Sequence, residues 1–169
     1  MQLKQRAEIV RRGLSAGYWT LSEAVAWADG IVEAEIQPPI QVIEVSLASR
    51  RGVDDAIAQL QSFTDGIAAD DLLRETVADM QAILQSDPTR ARAIAQTLHG
   101  MALQGIFPSQ ADLPELYTVA YAFDPEDAAW APSGAEALAY LFEVLDKLHR
   151  ALSPVRSGHI GNRSVQGHG

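Results

Sequence analysis

The sequence predicts an all-α protein: a single-domain irregular helical bundle, or a set of stacked helix pairs, of about seven to eight helices. Three observations predict it. Apolar residues recur three and four positions apart along most of the chain, the spacing that lines one face of a helix. No run alternates apolar and polar residues as a half-buried strand does. Capping pairs, prolines and glycines punctuate the pattern at helix-length intervals. A chain of 169 residues can bury a core that needs no disulfide or metal staple. The helical domain is read as residues 1–152, and residues 153–169, poor in apolar side chains, as a flexible Gly/Ser/His/Arg tail.

Each element has its own local justification. A short basic helix is expected over Gln2 to Arg12, with Leu3, Ala7 and Val10 on one face and Gly13 as its end. Thr20 and Glu23 form a capping box, in which hydroxyl and carboxylate satisfy free amides at a helix start. The helix behind it carries Leu21, Val25, Ala28 and Val32. Pro38 and Pro39 end that segment, because a residue before proline is biased away from helical torsions, and they suit the first turn of the next. That next helix is expected to turn Ile40, Ile43 and Leu47 inward. Gly52 is read as a stop after Arg50 and Arg51, whose cations suit a helix C-terminus.

Val53, Ile57, Leu60 and Phe63 mark a further helix, closed near Gly66. Leu73, Val77, Met80 and Leu84 mark another, capped by Asp70 or Asp71. Asp87 followed by Pro88 is a cap and first-turn pair, opening a helix with Ala91, Ile94, Leu98 and Met101 on one face before Gly105. Ser109 to Asp112 restarts the pattern, with Leu113, Leu116, Tyr117, Ala120 and Tyr121 expected inward until Asp124 and Pro125. Ser133 and Glu136 form a second capping box. The helix beyond it, with Leu138, Leu141, Phe142, Leu145, Leu148 and Leu152, has the strongest amphipathic stripe in the chain.

Composition narrows function mainly by exclusion. The chain holds 22 acids against 13 Lys and Arg, a formal net charge of −9, and no cysteine. Thiol nucleophiles, Cys-ligated metals and disulfide frameworks are thereby excluded. The charge repels phosphate backbones, so no nucleic-acid partner is expected. The tail carries Arg156 and Arg163 and no acid, so the helical domain alone stands at −11. The first residues lack the uninterrupted apolar stretch of a secretory signal, and no segment reaches the roughly 18 apolar residues of a membrane span. A soluble, cytoplasmic protein is expected, with no membrane partner.

No motif fixes a chemistry. His99, His149, His159 and His168 are not spaced as metal ligands, and the first two read as residues near helix C-termini, favoured there by the dipole. The pairs Asp54/Asp55, Asp70/Asp71 and Glu126/Asp127 sit at expected helix starts, where acids oppose the dipole. No Gly-x-Ser-x-Gly elbow or phosphate-binding glycine loop is present. Neither catalytic residues, metal ligands nor a cofactor are assigned. Trp130, in an acidic loop after Glu126 and Asp127, either fills a gap between helices or anchors a partner.

The stretch from Leu21 through Trp27-Ala28-Asp29, the Pro38-Pro39 corner, and Glu44-Val45-Ser46-Leu47 resembles small helical bacterial proteins, some of them similar to the immunity proteins of toxin systems. That likeness covers about a third of the chain. It implies a helical protein that acts by binding one cognate protein, with Trp27 buried and Asp29 paired to a nearby amide or cation. It transfers no binding residues.

The leading expectation is a non-catalytic protein-binding module, of an immunity or regulatory type, that occludes a basic protein surface. Asp29, Glu33, Asp124, Glu126, Asp127 and Trp130 are its expected contacts. Two alternatives stand beside it: a small helical enzyme or ligand-binding protein with a carboxylate and His99 or His149 brought together across helices, and a structural homo-oligomer subunit.

Overall fold

A computed structural model of the chain describes residues 2–67, 72–124 and 134–153. The expectations for Asp70 and Asp71, for Glu126, Asp127, Trp130 and Ser133, and for the tail after Ser153 lie outside the described residues. Within them the protein is all helical, without a strand. Seven α-helices follow in order: α1 (Leu3–Ala16), α2 (Leu21–Ala34), α3 (Ile40–Ser46), α4 (Val53–Thr64), α5 (Leu73–Ser86), α6 (Ala91–Leu103) and α7 (Gly134–Leu152). Short 3₁₀ turns fill the connections, three of them between Ser109 and Phe123. No described helix is long and apolar enough to cross a membrane.

The helices gather around two cores. In the first half α1 packs on α4, α2 on α3, and α3 on α4. Its interior joins Ala7, Val10 and Leu14 of α1, Ala24 and Ala28 of α2, Val42 and Val45 of α3, and Ala56 and Leu60 of α4. In the second half α5 packs on α7, and α6 on the 3₁₀ turns that follow it. There Val77, Met80, Leu84, Ile94, Leu98, Leu116, Leu141, Leu145 and Leu148 are buried together. Full burial of each such leucine contributes about 1.5–3 kcal/mol, far more than helix propensity does per residue, so the apolar stripe holds α7 in place.

Trp19 packs against both cores. Its position follows from the end of α1. The helix does not stop at Gly13 as the sequence suggests; it continues to Ala16 and closes on Gly17, whose φ of 78° is the left-handed turn that favours glycine. Gly17 N–H donates to Leu14 O and Tyr18 N–H to Gly13 O, the paired bonds of a Schellman stop. Gly13 instead serves packing. A Cβ there would run into Trp19 Cδ1 and stand 2.8 Å from Trp19 Cγ and 3.0 Å from Tyr18 Cε2.

Trp19 is also tied electrostatically. Its Nε1–H donates to Asp79 Oδ2 at 2.8 Å, and Arg6 Nη1 donates to Asp79 Oδ1 at 2.6 Å. The Arg6 guanidinium lies 5.1 Å from the centre of the Trp19 ring. A buried carboxylate on α5 thus joins α1 to the second half. Trp19→Phe leaves that carboxylate one donor short and is expected to cost about 2 kcal/mol, the range for a hydrogen bond to a charged group, read as a lower urea midpoint.

Other sequence expectations hold in detail. Thr20 Oγ1 accepts from Glu23 N–H at 3.2 Å, and Glu23 Oε2 accepts from Thr20 N–H at 2.7 Å, completing the capping box. Asp87 Oδ1 accepts from Thr89 N–H at 3.1 Å in the 3₁₀ turn that leads into α6. Leu73, Val77, Met80 and Leu84 are all buried. Gly52 departs from its expected role as a stop: α3 ends at Ser46, a 3₁₀ turn follows, and Gly52, with φ 101°, stands as N-cap of α4.

Two expected faces are corrected. In α3 the buried residues are Val42 and Val45, while Ile40 and Leu47 are exposed. The residues that α2 buries are Ala24 and Ala28, and α3, which packs on α2 and α4, adds Val42 and Val45 to the same core. Between Ser109 and Asp124 no continuous helix forms. Pro114 lacks an N–H and Leu113 before it is extended, with ψ 134°, so the segment breaks into 3₁₀ turns. Ala111, Leu116 and Val119 go inward, and Tyr117 and Tyr121 stay exposed.

Candidate functional site

The α2–α3 corner brings together charge and apolar surface that folding does not explain. Asp29 and Glu33, one helical turn apart, are exposed on α2, and Glu35 is its exposed C-cap. Among the described residues none of the three forms a salt bridge, whereas Glu44 nearby is held by Arg51 at 2.7 Å. Carboxylates at a helix C-terminus, here Glu33 and Glu35, are repelled by the negative end of the dipole, and like charges four apart, Asp29 and Glu33, repel by about 0.2–0.5 kcal/mol. No basic residue in the last turn of α2 offsets them. Beyond the helix Ile36 is 98% exposed, Ile40 61% and Leu47 57%. Ile40 and Leu47, seven apart, share one face of α3.

Of the six expected contacts, Asp29 and Glu33 belong to this corner. Asp124 follows the last 3₁₀ turn, which packs on α6 and α7, so it stands on the other half of the molecule. Glu126, Asp127 and Trp130 lie outside the described residues. Trp27 is half-buried against the first core. Asp29 has no hydrogen bond or salt bridge among the described residues, contrary to the pairing the resemblance implies. Ile36, Ile40 and Leu47 were not legible as contacts, because periodicity assigned two of them to the core.

The helix α1 carries a second polar group. Glu8 is buried, and Arg11 Nε and Nη2 grip it at 2.7 Å each, Arg12 Nε at 2.8 Å and Thr64 Oγ1 at 2.7 Å. Burial pushes its carboxyl up, but the hydrogen bonds from Arg11, Arg12 and Thr64 together outweigh it and hold the pKa lowered to about 2. Burial, and then the Asp79 charge, push the Tyr18 phenol well above its usual value. Arg11, Arg12 and Tyr18 border a cavity of about 470 Å³ between α1, α5 and α6.

Among the described residues that line the cavity there is no histidine and no carboxylate. His99 stands edge-on to Tyr121, ring centres 5.7 Å apart, and His149 lies in the last turn of α7. Among the described residues no three His, Asp or Glu side chains are grouped to hold a metal ion. Comparison of the chain with protein-family models, curated proteins and solved structures gives no match.

Proposed function

We propose that the protein is a non-catalytic protein-binding module, an immunity-type or regulatory protein of the cytoplasm, that docks a basic partner at the α2–α3 corner and occludes its cationic surface. One observation supports this reading above others: three carboxylates without a cation partner among the described residues line the C-terminal half of α2, Glu33 and Glu35 at the end where the dipole disfavours them, beside an isoleucine that is 98% exposed. A partner carrying Lys or Arg around an apolar pocket relieves both features. The isoleucines would supply buried contact area and the carboxylates orientation and association rate.

The corner makes a stability and binding contrast. Asp29→Asn with Glu33→Gln is expected to raise stability by about 0.5 kcal/mol through lost repulsion, read by urea denaturation, while weakening binding at low salt. Ile36→Ser with Ile40→Ser is expected to change stability by less than about 0.5 kcal/mol and to abolish binding at any salt. The probe is a synthetic Lys/Leu amphipathic helical peptide in isothermal titration, with its Glu/Leu counterpart as control. Equal heats from both peptides, or unchanged affinity in the isoleucine variant, would overturn the reading. Sedimentation of the wild type should give a monomer; a dimer lost in the isoleucine variant would assign the corner to a second copy of the chain instead.

A further inference from the structure

We infer that the cavity between α1, α5 and α6 is a binding site for a small amphipathic monocarboxylate carrying a second polar group. It is separate from the α2–α3 corner and does not rest on the reading of that surface.

Four features of the cavity select this ligand. Its volume, about 470 Å³, falls in the range of small-molecule sites. It lies where the two cores meet, with α1 supplying one wall and α5 and α6 the others, the kind of junction at which such sites are built. Its apolar lining includes Met80 and Met101, adaptable side chains that suit an apolar body of varied outline. Its charged edge is Arg11 and Arg12.

The charge at that edge is not fully used. Glu8 is the carboxylate shared by both arginines, so the group retains one net positive charge in a protein whose sum is −9. Arg11 engages Glu8 through two of its nitrogens, and Arg12 through Nε alone. Among the described residues the two terminal nitrogens of Arg12 have no hydrogen-bond partner. A guanidinium fork anchored at one end and open at the other is suited to take a carboxylate in a bidentate pair. One surplus charge matches a monoanion.

Tyr18 Oη and Thr76 Oγ1, on two residues of the lining, are buried and have no hydrogen-bond partner among the described residues. Both residues line this cavity and are almost completely buried, at 0% and 2% exposed. Buried hydroxyls in a folded protein are nearly always paired, and two orphans in one lining point to a polar group that fills the site. Thr97, also in the lining, is already satisfied by Ala93 O at 2.7 Å, which leaves Tyr18 and Thr76 as the pair that reads the ligand's second polar group. The recognition is therefore carboxylate at Arg12, apolar body along the methionines, and hydroxyl or carbonyl at Tyr18 and Thr76.

Heteronuclear NMR titration of the full chain tests this with para-hydroxybenzoate, benzoate, the methyl ester of para-hydroxybenzoate, and acetate. Para-hydroxybenzoate should bind saturably and shift resonances of Thr76, Met80 and Met101. The ester and acetate should each bind at least about tenfold more weakly, the equivalent of about 1.4 kcal/mol. Arg12→Gln should weaken para-hydroxybenzoate by about tenfold, while Arg11 keeps Glu8 paired and the fold intact. Thr76→Val, an isosteric change that removes an unpaired hydroxyl, should leave melting unchanged or higher, weaken para-hydroxybenzoate, and leave benzoate unaffected. Absence of saturable shifts with every acid, equal binding of acid and ester, or unaltered affinity in a folded Arg12→Gln variant would each overturn the assignment.

Discussion

Gly13→Ala is expected to destabilise the protein by about 3 kcal/mol, although the same change in most helix interiors stabilises by up to about 1 kcal/mol. The added methyl would collide with Trp19 Cδ1 and crowd Trp19 Cγ at 2.8 Å. The indole cannot retreat cheaply. It packs on both cores, and its N–H is bound to the buried Asp79. Tyr18, whose Cε2 would lie 3.0 Å from the added methyl, is fully buried. Gly30→Ala is the internal control: it too is inside a helix, nothing lies within 4 Å of the added Cβ, and it should stabilise by about 0.5–1 kcal/mol. Thermal unfolding of the two variants should move in opposite directions, with a fall of about 6–12 °C for Gly13→Ala. A rise in both would show that Trp19 is free to shift.

Loss of the Glu8 carboxylate is the second large effect expected. Glu8→Ala leaves two arginines side by side and the Thr64 hydroxyl without its carboxylate partner, and removal of one partner from a buried ion pair costs about 3 kcal/mol or more. The same group gives the protein a defined acid limb. Its pKa is about 2 when folded, against an ordinary 4.5, so the folded state holds the carboxylate charged more strongly than the unfolded state does. The resulting stabilisation is complete above pH 4.5 and disappears as pH falls toward 2. It amounts to on the order of 2–3 kcal/mol, allowing for the partial exposure of the arginines. Urea midpoints should fall across that window in the wild type. In Glu8→Gln, less stable at neutral pH, the fall should be shallower by the same amount; an identical slope would show that other carboxylates carry the acid limb.

Glu8 and Asp79 also show where sequence reading stops. Each lies in a helix whose apolar positions are legible, but neither carries a local signal that marks it as buried. Nothing within α1 announces that Thr64 will meet Glu8 from α4, or that Asp79 will bind Arg6 and the Trp19 indole across sixty residues or more. The local clues were better where the interaction is local. The Thr20 and Glu23 capping box and the Asp87-Pro88 turn are made by neighbours in sequence, and both are found as read. Gly13 is the complementary case: glycine is a reasonable helix stop in isolation, and only the arrival of Trp19 makes it a packing position.

The candidate corner was half visible. Asp29 and Glu33 and the Pro38-Pro39 turn were identified from charge and from backbone restriction. Its apolar component was not, because α3 has only seven residues and two competing apolar faces, and periodicity does not rank them. Packing on α2 and α4 does so, and puts Val42 and Val45 in the core. Ile40 and Leu47 are left outside.

By itself the sequence determined the helical class, several helix starts, the excess of acid and the exclusion of thiol chemistry, all of which depend on composition or on residues within a few positions of one another. Tertiary structure alone decided which α3 face is buried, that Trp19 and Asp79 join the two cores, and that Arg12, Tyr18 and Thr76 meet around one cavity. The physical reason is distance along the chain. Capping and periodicity act within a turn or two, whereas packing and buried pairing are settled between segments that the sequence holds far apart.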